Sequence, residues 1–122
     1  MFRWVLRGSK TKKHPRGVFF YWQGQKDYPI TYAVEYGNAN ALISLIRHGA
    51  FVNVVDKHNG YSLLMKALSA KYIPNRYLII VLLLKNGTDV NIIGNDSRTA
   101  LYLAKLHQPR YIRLLKRFGA EF

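Results

Sequence analysis

The sequence NALISLIRHGAFVNVVD (residues 40–56) decides the fold, because its ending occurs twice more in the chain. The later copies are LLLKNGTDVN (residues 82–91) and LLKRFGAEF (residues 114–122). Each copy has an apolar run, two mostly polar residues and then a glycine, which is Gly49, Gly87 or Gly119. A glycine after the last helical turn suits a left-handed cap, since it has no Cβ to clash. The recurrence predicts a repeat protein in which each copy ends a helix at its glycine.

The repeated segment resembles the ankyrin repeat, whose helix-ending GADVN is matched here as GAFVN, GTDVN and GAEF. The first copy follows the ankyrin pattern without a gap over residues 29–56, with Gly37 as the mid-repeat glycine. The step from Gly87 to Gly119 is close to the family period of about 33 residues, and the step from Gly49 to Gly87 is longer. The extra residues fall in DKHNG, before Gly60, and in SAKYIPNRYL, between two predicted helices.

The resemblance implies an all-α fold, an ankyrin-type solenoid of helix-turn-helix repeats joined by β-hairpin-like turns. It covers residues 23–122, with repeats at about 23–55, 56–93 and 94–122. Helices are predicted at 31–36, 40–48, 63–71 and 77–85, with Ser62 and Thr99 as caps that accept backbone hydrogen bonds. The helix at 77–85 is apolar nearly all round, so it is expected in the middle of the stack. The predicted core includes Leu42, Leu45, Ile46, Leu64, Ala67, Leu68, Leu101, Ala104, Ile112 and Leu115.

Residues 1–22 form a basic and aromatic extension outside the resemblance. FRWVL (residues 2–6) alternates, and VFFYW (residues 18–22) is β-branched and aromatic, which predicts a short β-hairpin or an extended cap. Two interpretations of the aromatic segment stay open. It covers the apolar end of the first repeat, or it offers a platform on which nucleobases stack.

The sequence offers no pattern for catalysis. Its six acidic residues are scattered and its four histidines lie in different elements, so neither an acid–base pair nor metal-ligand spacing is evident. There is no cysteine, which excludes a disulfide or a thiolate site. The longest apolar run, residues 77–84, is far below the roughly 18 residues of a membrane span. We expect a non-enzymatic cytoplasmic protein with no cofactor, small-molecule substrate or membrane span.

Ankyrin-like folds usually bind other proteins, and the resemblance implies a protein partner. Contacts in the family come from hairpin tips and from the exposed side of the first helix of each repeat, which form a concave face. The matching tip positions here are Gln25, Asp27, His58, Tyr61, Asn95 and Arg98. The matching helix positions are Glu35, Tyr36, Ser69, Ala70, Leu106 and His107. Tyr36, Tyr61 and Arg98 are expected to project from this face without filling the core.

The enlarged loop at residues 72–77 departs from the family pattern. Pro74 has no N–H and a fixed φ, so the preceding helix cannot simply continue through it. The loop is expected to project between the two helices, which makes Tyr72 and Arg76 further candidate contacts. A neutral insertion is the alternative interpretation.

Nucleic-acid binding is the alternative function. The formal net charge is +13, and the loop RGSKTKKHPRG (residues 7–17) has no acidic residue. Its cations would neutralise phosphates together with lysines and arginines dispersed over the chain; those of the loop are Arg7, Lys10, Lys12, Lys13 and Arg16. The same charge would serve an acidic protein partner through electrostatic steering. In its brevity and loose motifs the sequence also resembles short, divergent ankyrin proteins of intracellular bacteria and large DNA viruses, many of which act on host proteins in the cytoplasm or nucleus.

Overall fold

The computed structural model describes residues 29–121, and this range is all-α. We label its helices in chain order as α1 (Pro29–Glu35), α2 (Ala39–Arg47), α3 (Leu63–Ser69), α4 (Arg76–Lys85), α5 (Ala100–His107) and α6 (Ile112–Arg117). A 3-10 turn (Pro109–Tyr111) leads directly into α6. In this range the only β pairing is an isolated antiparallel bridge between Val55 and Ser62. The hairpin or cap expected at residues 1–22 lies outside the described residues.

Side-chain caps begin several of the helices. The Ser62 Oγ accepts a hydrogen bond from the Met65 N–H at 3.2 Å, and the Thr99 Oγ1 accepts one from Tyr102 at 3.2 Å. Both predicted caps are therefore confirmed. Asn38 caps α2 in the same way, since its Oδ1 accepts from the Ala41 N–H at 3.0 Å. Each cap satisfies one of the backbone donors that the first helical turn leaves free.

Two predicted helix boundaries are wrong, each for a local reason. The first helix starts at Pro29 instead of residue 31, because proline fits the first helical position, where its missing N–H is not needed. The helix predicted at 63–71 ends at Ser69, because Ala70 already has an extended backbone with φ −68° and ψ 142°. The helices predicted at 40–48 and 77–85 are each within one residue of α2 and α4.

The three repeated glycines all lie in the left-handed region of φ. Gly49, Gly87 and Gly119 have φ values of +93°, +89° and +100°. They directly follow the residues that cap α2, α4 and α6. The prediction that each copy ends a helix at its glycine is confirmed, and an L side chain at any of these positions would be strained.

The helices pack as successive neighbours around one core. Helix α1 contacts α2 and α3, while α3 contacts α4 and α5. Helix α2 contacts α4, and α5 contacts α6 and the 3-10 turn. The predicted core residues are buried except Ile46 and Ile112, which are partly buried and pack against the core. Helix α4 is less enclosed than expected, since Tyr77 and Leu78 in its first turn are exposed while Ile79, Ile80, Leu83 and Leu84 are buried.

Two asparagine side chains connect the loops that follow successive glycines. Asn53 donates from Nδ2 to the Gly87 carbonyl at 3.2 Å, and its Oδ1 accepts from the Asp89 N–H at 2.7 Å. Asn91 repeats this pattern one copy later, with the Gly119 carbonyl at 3.1 Å and the Glu121 N–H at 3.0 Å. Because an amide side chain carries both a donor and an acceptor, each asparagine fixes the next loop in one register.

The fully buried Leu83 of α4 tests whether this helix is central to the core. We expect Leu83→Ala to lower the free energy of unfolding by about 2 to 5 kcal/mol, because it removes buried methyl groups and leaves a cavity. Urea denaturation followed by circular dichroism measures the change. Leu78→Ala, an exposed deletion on the same helix, is the control and is expected to cost less than about 1 kcal/mol. A loss below about 1 kcal/mol for Leu83→Ala would contradict a central role.

Candidate interaction surface

The predicted contact residues lie on turns and helices that adjoin one another. We call the helix–turn face the surface formed by turn I (residues 56–61), turn II (residues 94–98), the exposed sides of α1, α3 and α5, and the segments that follow α1 and α3 (residues 36–37 and 70–75), which contact each other. Helix α3 lies between α1 and α5, which makes the three helical parts of this face continuous. The candidate residues outside residues 29–121 are Gln25, Asp27, Arg7, Lys10, Lys12, Lys13 and Arg16.

Turns I and II are hydrogen-bonded to each other. The Asn95 backbone N–H donates to the Asn59 carbonyl at 2.8 Å, and its side-chain Nδ2 donates to the His58 carbonyl at 3.2 Å. Within turn I, Asp56 Oδ1 accepts from the His58 N–H at 2.6 Å. Asn95 thus holds the two turns together through its backbone N–H and its side-chain Nδ2.

Tyr61 joins the same two turns through its side chain. Its hydroxyl donates to Asp96 Oδ2 at 2.6 Å, and its ring lies so close to Gly94 that a Cβ there would be 2.7 Å from the ring edge. Burial, followed by the hydrogen bond to Asp96, raises the pKa of the Tyr61 hydroxyl, and that bond lowers the pKa of Asp96. Tyr61 was expected to project without filling the core, but it is partly buried, packs against the core and connects the two turns.

Arg98 also makes contacts within turn II and α5. Its Nε lies 3.6 Å from Asp96 Oδ2, and its guanidinium lies 5.3 Å from the centre of the Tyr102 ring. Such exposed contacts each contribute little to stability, but they orient the side chain. Arg98 is therefore presented alongside an exposed tyrosine and a carboxylate.

Lys66 of α3 forms ion pairs with α1 and with turn I. Its Nζ lies 2.7 Å from Asp56 Oδ2 and 3.3 Å from Glu35 Oε2. The hydrogen bond from Lys66 lowers the pKa of Asp56 to about 2, against the opposing effect of burial. Burial opposes the charge on Lys66, but the two carboxylates outweigh it and raise the pKa of Lys66. Glu35, a predicted contact residue, is thus engaged in an internal ion pair.

The ends of α1, α3 and α5 differ in how much side chain they expose. Tyr36 is 72% exposed and stacks on Tyr32 with ring centres 6.4 Å apart. Ser69 and Ala70 are partly buried, and they offer little surface to a partner. Leu106, which is 52% exposed, and the exposed His107 end α5. Tyr36 and Leu106 are the apolar side chains of the predicted set that the helix ends expose most.

The loop between α3 and α4 folds back onto the end of α1, which corrects the expectation that it projects. Ile73 is buried, and Asn75 Nδ2 donates to the Gly37 carbonyl at 3.1 Å. Arg76 Nη2 donates to the Ala70 carbonyl at 2.7 Å, which closes the loop. Tyr72 remains outside this packing and is 77% exposed. Of the two loop candidates, Tyr72 is available to a partner and Arg76 holds the loop.

Sequence reasoning missed residues whose importance depends on distant partners. Lys66 and Asp96 were not candidates, because nothing in their local pattern indicates their contacts with Glu35 and Tyr61. Tyr32 had a local signal, since it stands four residues before Tyr36 at helical spacing. Asn53 and Asn91 had a detectable signal, since both stand four residues after a repeated glycine. A position that keeps the same amide in two copies indicates a recurring hydrogen-bonding role.

Within residues 29–121, histidine and carboxylate side chains form no group of three or more that could hold a metal ion. The longest helix of this range is α4 with ten residues, and no helix there meets the length and apolarity required to cross a bilayer.

The chain matches no model of a known protein family, and a search of curated proteins gives no match either.

The ion pair of Lys66 with Asp56 predicts an acid-dependent part of stability. The pKa of Asp56 is below its ordinary value, so its contribution is complete above about pH 4 and is lost as the pH falls towards 2. We expect Lys66→Met to lower the free energy of unfolding near pH 6 by about 1 kcal/mol and to flatten its decline between pH 4 and pH 2. Urea denaturation across this pH range measures both effects.

Lys57→Met is the matched control, because Lys57 is exposed in the same turn and forms no ion pair within the described residues. It removes the same charge and should leave the pH dependence unchanged. Parallel pH profiles for the wild type and Lys66→Met would contradict the assigned ion pair.

Gly37 tests the docking of the loop onto α1. It has φ +67°, and a Cβ at this position would overlap the Pro74 carbonyl oxygen and lie 2.8 Å from the Pro74 ring. Gly87 has φ +89°, but a Cβ there would meet nothing within 4 Å. Both Gly→Ala substitutions strain the backbone, and only Gly37→Ala also displaces the loop. We expect Gly37→Ala to cost about 1 to 3 kcal/mol more than Gly87→Ala in urea denaturation. Equal losses would show that the loop is not tightly docked.

Proposed function

We propose that this chain is an ankyrin-type solenoid that binds another protein through its helix–turn face. The glycine-ended helices, the succession of helix contacts and the recurring asparagine hydrogen bonds support a stack of similar units. A stack of this kind presents corresponding positions side by side. That arrangement suits recognition of an extended protein surface better than enclosure of a small ligand.

The observation that carries the proposal is the exposure of two tyrosines beside the contact between the end of α1 and the α3–α4 loop. Tyr36 directly precedes Gly37 at the end of α1, and Tyr72 lies in the loop. They are 72% and 77% exposed, the highest values among the large hydrophobic side chains of residues 29–121. The contact between Gly37 and Pro74 fixes the backbone next to both tyrosines. Tyrosine on a fixed backbone buries a large area at a small entropic cost, which is why it is common in binding hot spots.

The charge of the helix–turn face favours an acidic partner. Its carboxylates are already engaged, with Asp56 and Glu35 on Lys66 and Asp96 on Tyr61 and Arg98. Exposed cationic side chains of the face, such as Lys57 and Lys105, form no ion pair with the described residues. A partner with carboxylates around an apolar contact would complement both the tyrosines and these lysines.

Site-specific crosslinking tests the proposal. A benzophenone side chain placed at position 36 or position 72 should capture a protein partner, and the same group at the exposed position 51 should not capture it. Capture should survive nuclease treatment, because the proposed partner is a protein. Equal capture from position 51, or capture lost with nuclease, would contradict the helix–turn face as the binding surface.

The captured partner then allows a quantitative test. We expect Tyr36→Ala with Tyr72→Ala to weaken its binding by about 30-fold or more, which corresponds to about 2 kcal/mol from hot-spot side chains. The melting temperature should stay close to that of the wild type, since both rings are mainly exposed. Phe51→Ala is the matched control. Tyr61→Ala and Arg98→Ala are less suitable, because their internal contacts also affect the folded state.

A further inference from the structure

A second surface, separate from the helix–turn face, gathers cationic side chains around an exposed tyrosine. Arg110, Arg113, Lys116 and Arg117 on the 3-10 turn and α6 are all exposed. We call these four residues together with Tyr77 of α4 the arginine surface. It shares no residue with the helix–turn face, so its function can be tested independently.

The charge of the arginine surface is uncompensated within the described residues. No ion pair there involves any of its four cations. The sequence between Asp96 and Glu121 contains no acidic residue. Arg113, Lys116 and Arg117 are spaced three and four residues apart on one helix, where like charges repel. A surface required only for solubility is served by charges of both signs, so this one-sided cluster indicates an anionic ligand.

Two adjoining depressions give the surface its shape. One of about 500 Å³ is lined by Arg110, Arg113 and Lys116, together with Pro109 and Ile112. The other, of about 430 Å³, is lined by Tyr77, Tyr111 and Leu114, together with Arg110, Arg113 and Arg117. Arg110 and Arg113 line both depressions, so guanidinium groups lie where the two depressions adjoin. Both are open and shallow, which suits an extended chain.

The exposed ring of Tyr77 packs against a second aromatic ring. Tyr77 is 64% exposed and stacks on the buried Tyr111, with ring centres 6.4 Å apart and planes inclined by 22°. The Arg110 guanidinium lies 6.0 Å from the centre of the Tyr111 ring. A fixed aromatic side chain beside several guanidinium groups is the combination that binds a base by stacking and its neighbouring phosphates by charge.

We propose that the arginine surface binds single-stranded nucleic acid, with phosphates on Arg113 and Arg117 and one base against Tyr77. An acidic peptide would also use the cations, but its aliphatic carboxylate side chains match the ring of Tyr77 less closely than nucleobases, each of which has a flat face for stacking. A second copy of the chain is disfavoured, because two such surfaces would repel each other. The sequence-based hypothesis of nucleic-acid binding rests on the basic segment at residues 7–17 and on dispersed lysines and arginines, whereas this proposal assigns binding to one defined surface.

Fluorescence anisotropy with labelled twelve-nucleotide oligothymidine and oligouridine tests this site in the full chain. We expect Arg113→Gln with Arg117→Gln to weaken binding at least tenfold at low salt. The slope of log affinity against log salt should become shallower by about 1.4, from two lost phosphate contacts at about 0.7 each for a single strand. Lys57→Gln with Lys71→Gln, which removes the same charge outside the surface, is the matched control and should have a smaller effect.

The tyrosine is tested separately from the charge. Tyr77→Ala should weaken oligonucleotide binding about fivefold or more through lost stacking, while the salt slope stays unchanged. Tyr77→Phe retains the ring and should bind like the wild type. Circular dichroism melting identifies any loss of binding that is caused by unfolding. Arg113→Lys with Arg117→Lys keeps both charges, so its binding should retain most of the salt dependence that the glutamine variant loses.

Three results would overturn the proposal. The first is an equal loss in the lysine control, which would mean that charge acts diffusely. The second is normal binding by Tyr77→Ala, and the third is polyglutamate that binds as tightly as the oligonucleotide, which would indicate an acidic protein ligand. Tyr36→Ala with Tyr72→Ala should leave oligonucleotide binding intact, so this proposal and the proposed function can fail separately.

Discussion

The paired hydrogen bonds of Asn53 and Asn91 are the constraint on which the rest of the arrangement depends. Each amide bonds both the carbonyl of the next left-handed glycine and an N–H two residues later. These bonds require the glycine carbonyl to point towards the preceding loop, and the positive φ of Gly87 and Gly119 makes that possible. With the loops held in this register, α2 and α4 pack against each other in a single relative position.

The folded chain has two surfaces that differ in their polar contacts, the helix–turn face and the arginine surface. On one side, the first helices and their turns are joined by Lys66, Tyr61 and Asn95. The cations of α6 have no such partners among the described residues. On the first side the carboxylates Glu35, Asp56 and Asp96 are paired with other side chains, whereas on the second side the cations form no ion pair among the described residues. The two surfaces are therefore suited to ligands of different chemistry.

The sequence predicted the features that depend on local chemistry. Gly49, Gly87 and Gly119 are required by backbone geometry alone, and Ser62 and Thr99 cap because a hydroxyl suits free N–H groups. The pairing of Lys66 with Glu35 and of Tyr61 with Asp96 was not predictable, because each partner lies in another unit. The loop at Pro74 was misjudged for a related reason. Proline shows that a helix stops, but not that Ile73 then turns inward.

The bonds between turns I and II have a consequence for the thermodynamics of recognition. Asn95 and Tyr61 already immobilise these turns in the isolated chain, and Pro74 immobilises the backbone beside Tyr36. A partner that binds here does not have to order a flexible loop, which ordinarily costs conformational entropy. The proposed binding to this face would therefore depend mainly on side-chain complementarity, and little of its free energy would be spent on ordering the receptor.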